Sequence, residues 1–330
     1  MLEVPFTGAH SCYYETEMPR FLIAALYHFT ALPDFRQLRD AMYAQAAENQ
    51  LKGTLLLADE GINGTIAGPE PGVRRFLAYV RSDPRFTELK HKESWSDEEP
   101  FIRLKVRLKK EIVTIGLPEV DPTEQVGTYV EPKDWNALIS QPDVFLIDTR
   151  NTYETEMGTF KGAVDPNTES FGEFPTWVEK HPELTADTPV AMFCTGGIRC
   201  EKASSYMLEQ GFKEVYHLQG GILQYLHDVP EDQSLWQGEC YVFDRRVSVD
   251  HDLKPGRFEM CRACGAALEP HQRSGEHYRI GVSCLYCFDQ TSEAQKAGFA
   301  ERQKQVELAK ARQHSHFDPH KPAKGRESGQ

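Results

Sequence analysis

The 330-residue sequence predicts a multidomain α/β protein, and three observations carry that prediction. Residues 20 to 115 alternate strand and helix patterns in the order β-α-β-β-α-β, which matches an N-terminal ferredoxin-like (acylphosphatase-like) α+β domain. From about Pro132 to Leu226 short apolar strands alternate with helices, the signature of a central α/β domain with a parallel sheet. Behind them stand two C-x-x-C pairs, which suit a small C-terminal four-cysteine, zinc-ribbon-like unit. The expected bounds are 1–118, 130–232 and 233–290, with a helix and disordered tail over 291–330.

Each element has its own reason. The run "RFLIAALYHF" is an apolar strand, and "DFRQLRDAMYAQAAENQ" opens with Asp34, a good N-cap, before Phe35, Leu38, Met42 and Ala46 recur at helical spacing. "LKGTLLLADEGINGTIAG" holds two short strands around a turn rich in Asp, Gly and Asn, a hairpin signal. "EPGVRRFLAYVRSDPRF" is a second helix, followed by "ELKHKESWS" and the alternating "FIRLKVRLKKEIVTI". "GLPEVDPTEQVGTYVEP", residues 116–132, carries three prolines and little periodicity and reads as an interdomain linker. In the central domain "DVFLIDTR", "PVAMFC" and "EVYHLQGG" read as strands, and "PKDWNALISQ", "FPTWVEKH" and "RCEKASSYMLEQGF" as helices. "EAQKAGFAERQKQVELAKARQ" is a final helix; in the tail beyond it, His314, His316 and His320 read as solvated rather than metal-binding.

Composition narrows the function classes. At 40% hydrophobic content the chain can build two or three cored domains, and its longest apolar run near the N-terminus, Phe21 to Phe29, is far short of the ~20 residues that cross a bilayer. The expectation is a soluble cytoplasmic protein with no membrane partner. Eight cysteines, four of them in C-x-x-C pairs, fit metal ligation or thiol chemistry in a reducing compartment better than a disulfide scaffold. A net charge of −13 argues against indiscriminate binding to polyanions, and no DNA partner is expected, although a local basic face can still hold a polyanion.

The stretch "AMFCTGGIRCEKA", residues 191–203, holds the chemistry. Cys194 follows a strand and precedes a helix that starts near Arg199 or Cys200. A loop in that place exposes unpaired backbone N–H groups, and Gly196 and Gly197 let the backbone approach an anion; with Thr195, Ile198 and Arg199 they form an anion cradle around the thiol. A thiol there should titrate in the range of about 3.5–7.5 instead of ~8.5, which makes it a nucleophile and a candidate persulfide carrier. The plainer alternative is a buried apolar cysteine before a Gly-Gly turn. Cys200 is a possible second thiol, or packing beneath the loop. Asp148 and Arg150, at the end of a neighbouring strand, read as an internal ion pair or loop brace rather than as catalytic groups.

Resemblance then adds what periodicity does not reach. "DTRNTYETEMGTFKGA", Asp148 to Ala163, resembles the first rhodanese signature, and "GFKEVYHLQGGI", Gly211 to Ile222, the closing one. Thr159-Phe160 stand where many rhodaneses have His-Ile, a departure expected to alter packing rather than chemistry. By that resemblance Cys194 aligns with the persulfide-carrying cysteine. "LLLADEGINGTIAG", "RLKVRLKKEIVTIG", "FCTGGIRCEKAS" and the C-terminal cysteine pairs, in this order, resemble the rhodanese-domain tRNA uridine hydroxylases. That resemblance implies oxygen-dependent conversion of the wobble uridine of tRNA to 5-hydroxyuridine, with molecular oxygen as co-substrate and tRNA as partner.

Two other sets complete the site expectations. Cys261, Cys264, Cys284 and Cys287 have the spacing of a closed structural zinc site. Arg103, Lys105, Arg107 and Lys109 alternate with Leu104, Val106 and Leu108, so the cations share one strand face: a phosphate track in a tRNA enzyme, a solvated sheet face otherwise. No flavin, haem or non-haem iron signature accompanies them. Two further readings remain beside the hydroxylase: a sulfurtransferase working through a Cys194 persulfide, and a non-catalytic anion- or RNA-binding module.

Overall fold

The computed structural model describes residues 20–311; His314, His316 and His320 lie outside the described residues. The first domain comprises β1 (Phe21–Phe29), α1 (Phe35–Glu48), β2 (Lys52–Ala58), β3 (Gly61–Gly68), α2 (Glu70–Arg81), β4 (Lys90–Ser96) and β5 (Leu104–Leu108). Its sheet has the order β4-β1-β3-β2-β5. The first four strands pair antiparallel, and β5 adds a parallel edge to β2. Both strand-like stretches after the second helix therefore become strands. Alternation explains the layering. Leu22, Ala24 and Leu26, Leu55 and Leu57, and Ile62 and Ile66 pack with Val73 and Phe76 of α2 and Met42 of α1. The sheet's other face carries no helix of this domain.

One local expectation fails here. Asp34 precedes α1 but makes no side-chain capping bond. Its carboxylate instead pairs with Arg85, which Asp83 also grips at 2.6 Å, so a tertiary ion pair outcompetes the cap.

The central domain contains β6 (Thr128–Val130), α3 (Pro132–Ile139), β7 (Phe145–Asp148), α4 (Thr152–Thr155), β8 (Gly158–Phe160), α5 (Phe174–Lys180), β9 (Val190–Phe193), α6 (Ile198–Glu209), β10 (Val215–Leu218), α7 (Gly221–Asp228) and β11 (Trp236–Gly238). Its sheet order is β6-β10-β9-β7, with all three pairings parallel. The proline-rich stretch read as a linker is corrected by this sheet: its residues 128–130 form β6, the edge strand beside β10. Upstream, Val120 is buried with Ile115 against Phe171 and Phe174. Three residues are too few to display a period, so only pairing with β10 makes them a strand.

Opposite that layer, Phe160 is the hub of a second core. Its ring meets Phe193, Tyr225 and Trp236 edge-on at 4.8, 4.7 and 5.2 Å. Thr159, beside it, donates its hydroxyl to Asp148 at 2.8 Å. Short strand pairs follow, β12 (Cys240–Tyr241) with β13 (Ser248–Val249) and β14 (Glu259–Met260) with β15 (Ala267–Leu268), before α8 (Glu293–Ala311). Among the described residues no helix is long and apolar enough to cross a membrane.

The helix-free face of the first sheet is turned to the central domain. Lys202 of α6 bridges Glu60 at 2.8 Å and Glu111 at 2.6 Å, almost wholly buried itself. Arg246 reaches back to Ser94 at 3.0 Å.

Candidate active site

The thiol loop runs from the end of β9 into α6. Gly197 stands at φ 101°, and a Cβ built there would lie 2.9 Å from the Tyr27 hydroxyl oxygen of β1, so both conformation and close approach require glycine. The loop's carbonyls are held from behind: Ile222 N–H donates to Cys194 O at 3.0 Å and Leu223 N–H to Thr195 O at 3.1 Å, which uses two orphan donors of α7. The loop's own N–H groups turn the other way. Gly197 N–H donates to Cys194 Sγ at 3.1 Å.

Burial would raise the Cys194 thiol, but it is outweighed. Hydrogen bonding from the Cys200 thiol, the charge of Arg199 and the backbone N–H groups of Cys200 and Arg199 pull it from 9.0 to about 6. Cys200, buried and facing that negative sulfur, is pushed the opposite way and stays a thiol; its Sγ lies 3.5 Å from Thr149 Oγ1. The pair is thus one thiolate and one donor.

Arg199 does not curl over the loop. Its guanidinium forms a bidentate pair with Glu154, Nη1 to Oε2 and Nη2 to Oε1 both at 2.7 Å, and Glu154 is fully buried. Thr195 Oγ1 donates to the same carboxylate at 3.2 Å. The charge of Arg199 still acts on Cys194, and holds Glu154 below the ordinary carboxylate range against the effect of burial. Asp148 and Arg150 form the internal brace: Arg150 donates to Asp148 at 2.9 and 2.7 Å and to the carbonyls of Glu154 and Gly158.

A cavity of about 560 Å³ opens over Cys194, lined by the loop, by α4 and by the first sheet. Three residues from that sheet and from β6 had no signal in the sequence. Lys92 of β4 donates from Nζ to Gly196 O at 2.8 Å and lies 5.2 Å from the Tyr27 ring. Burial pulls its amine down to about 8, against the charges of Cys194 and Glu201, which favour the ammonium. Tyr27 donates to Glu201 at 2.8 Å, and Tyr129 donates to the other oxygen at 2.6 Å. Burial raises Glu201 despite these two bonds. Strand alternation marks Lys92 as facing with Lys90, but not what it faces.

The basic strand lies on the same face. Successive pairings form the rows Lys105–Thr54–Thr65–Ala25–Lys92 and Arg107–Leu56–Asn63–Tyr27–Lys90. Lys105 and Arg107 therefore continue the cavity's sheet face to its far edge, where Arg103, Lys105, Arg107 and Lys109 are all exposed. None of the four lines the cavity itself.

Apart from this site, Cys261, Cys264, Cys284 and Cys287 bring their sulfur atoms within 4.8 Å of one another. Cys264–Cys284 and Cys284–Cys287 are separated by 3.7 and 3.8 Å. A tetrahedron with ~2.3 Å metal–sulfur bonds has edges of about 3.8 Å, so the set can hold a metal ion.

An acylphosphatase-like sheet roofing a parallel α/β domain with a thiolate loop defines a two-domain rhodanese-type protein. Family models agree: "UPF0176 acylphosphatase like domain" matches residues 21–112 and "Rhodanese-like domain" matches 131–228. A tRNA uridine(34) hydroxylase of Agrobacterium fabrum is 57% identical over 297 residues, covering 90% of this chain and 95% of its own. One from Acaryochloris marina is 53% identical over 300 residues, covering 91% and 97%. The rhodanese-like domain from an Anabaena species aligns with 34% of this chain and 80% of its own, at 15% identity and TM-score 0.28. The chain belongs to the tRNA uridine(34) hydroxylase family.

Proposed function

We propose that this protein hydroxylates uridine 34 of tRNA, with molecular oxygen as co-substrate and Cys194 as the reacting thiol. Identity of 57% across nine-tenths of the chain to a tRNA uridine(34) hydroxylase carries the reading. The site supports it in two ways. A cavity of about 560 Å³ falls within the ~300–1,000 Å³ usual for small-molecule sites, which suits one extruded nucleotide from a single-stranded anticodon loop. Its thiolate is available at neutral pH without an external base. The cationic rows of the first sheet give the anticodon arm's phosphates a positive face that a chain of net charge −13 otherwise lacks. Four cysteines at the C-terminal site would hold zinc as a closed, structural ion, which ties the turn between β14 and β15 to the turn at residues 284–287. Such a protein works in the cytoplasm, where tRNA is.

The test is mass spectrometry of tRNA nucleosides from a deletion strain carrying wild type or Cys194→Ala, grown with oxygen. Wild type should restore 5-hydroxyuridine derivatives and Cys194→Ala should not; restoration by both removes Cys194 from the reaction, and by neither removes the function. A sulfurtransferase reading keeps one observation of its own, the Gly197 N–H directed at Sγ, which would equally hold a persulfide. Rapid thiosulfate-to-cyanide turnover lost in Cys194→Ser would favour it.

A further inference from the structure

Three aromatic rings form a ladder beside the thiol cavity. Tyr153 belongs to α4, Tyr241 to β12, and Phe243 follows two residues later. Tyr153 and Tyr241 meet edge-on with centroids 5.3 Å apart, and Tyr241 and Phe243 do so at 5.0 Å. Tyr153 and Phe243 line the same cavity as Cys194. Yet both are open to solvent, Tyr153 at 42% and Phe243 at 58%, the largest exposure among the described large apolar side chains that are exposed. A lone exposed aromatic on a protein surface is ordinary. A contacting set at the rim of a cavity that holds a reactive thiolate is not, because each exposed ring forgoes burial at roughly 25 cal/mol per Å².

The ladder is also held in place from two sides. Arg246, three residues beyond Phe243, is clamped by Asp244 at 2.7 Å and by Ser94 of the first sheet at 3.0 Å. Tyr153 accepts from Asn151 Nδ2 at 3.1 Å. These contacts restrain the segments that carry the rings, which lowers the entropic cost of stacking on them.

We propose that Tyr153, Tyr241 and Phe243 are a stacking platform for the nucleobases that flank the uridine entering the cavity. This rests on the functional reading above: a base drawn into the cavity stays covalently joined to its neighbours, which then lie at the mouth where Tyr153 and Phe243 are exposed on either side of the half-buried Tyr241. Every base offers a π-face, so such a platform holds single-stranded RNA without reading its sequence. It also separates two jobs, with the basic sheet face holding phosphates and the rings orienting the loop.

The test uses the full chain and an anticodon stem-loop RNA bearing 2-aminopurine immediately 3′ of the target uridine. Wild type should bind and quench the fluorescence. Phe243→Ala should weaken binding about 5- to 150-fold, the range expected for losing one stacked base, and lose most of the quench, while Phe243→Trp keeps both. Because Phe243 is mostly exposed, Phe243→Ala should unfold at the wild-type temperature and keep the wild-type Cys194 alkylation profile. Equal affinity and equal quench in Phe243→Ala overturn the platform while leaving the hydroxylase reading intact. A change confined to self-association, read by sedimentation, also overturns it and makes the patch a protein interface. If wild type itself does not bind the RNA, the functional reading falls and the platform with it.

Discussion

The pH dependence of Cys194 alkylation is the sharpest consequence of the loop geometry. The thiol is drawn from 9.0 to about 6, which at 1.36 kcal/mol per unit is ~4 kcal/mol in favour of the thiolate. About nine-tenths of the sulfur should then be ionised at pH 7, against on the order of 1% for an ordinary thiol. Rate alone is a poor readout. Intrinsic nucleophilicity falls with basicity at a Brønsted slope of ~0.4–0.5, so the net gain at neutral pH shrinks to only about fourfold. The midpoint is decisive. Iodoacetamide modification of Cys194, followed by peptide mass spectrometry, should be slow at acid pH, rise through a midpoint near 6 and then plateau. Cys200 and Cys240 should stay unmodified across that range, because burial raises both. Cys200→Ala deletes the thiol that donates to the Cys194 sulfur, so its midpoint should move up by about a unit or more, whereas Cys200→Ser, which keeps a donor, should stay near wild type. A wild-type midpoint at 8.5 or above, or an unmoved midpoint in Cys200→Ala, would refute the account.

Other consequences can be checked independently. Glu154→Gln leaves the Arg199 guanidinium buried without its countercharge, and urea unfolding should show a loss of ~3–5 kcal/mol; a loss below ~1 kcal/mol would mean that Arg199 re-pairs elsewhere. Gly197→Ala places a methyl 2.9 Å from the Tyr27 oxygen at a φ of 101°, so it should cost ~1–2 kcal/mol for the conformation and more for the contact. Tyr27→Phe in that background should recover the contact part, and an identical melting temperature with and without it would count against the close approach. One equivalent of zinc per chain is expected by elemental analysis, lost in Cys264→Ser, while the Cys194 midpoint stays fixed because the two sites share no residue.

Features legible in the sequence are those whose physics is local. The hairpin of β2 and β3 follows from alternation around an Asp-Glu-Gly turn, and α2 from apolar residues at helical spacing. Gly197 is readable because a thiol loop between strand and helix needs a left-handed residue wherever the two domains lie. Local reasoning fails where two candidates compete for one group. Asp34 has the composition of a cap and becomes half of an ion pair with Arg85, fifty-one residues away in sequence. Arg199 does act on the Cys194 sulfur through its charge and its backbone N–H, but its guanidinium is gripped by Glu154, forty-five residues upstream, a partner that no local pattern marks. β6 hides in a proline-rich stretch because its strand character is lent by β10.

The chain's covalent order thus carries the parts: an alternating sheet, a thiol followed by two glycines and a helix, and four cysteines at metal spacing. What those parts do to one another is decided by the docking of the domains. Lys92 donates to Gly196 across one hundred and four residues, and Tyr27 reaches Glu201 across one hundred and seventy-four. No periodicity can encode such pairings, since period records only which residues share a face. The charge around Cys194, by contrast, depends on distance in space, and only the folded chain sets that distance.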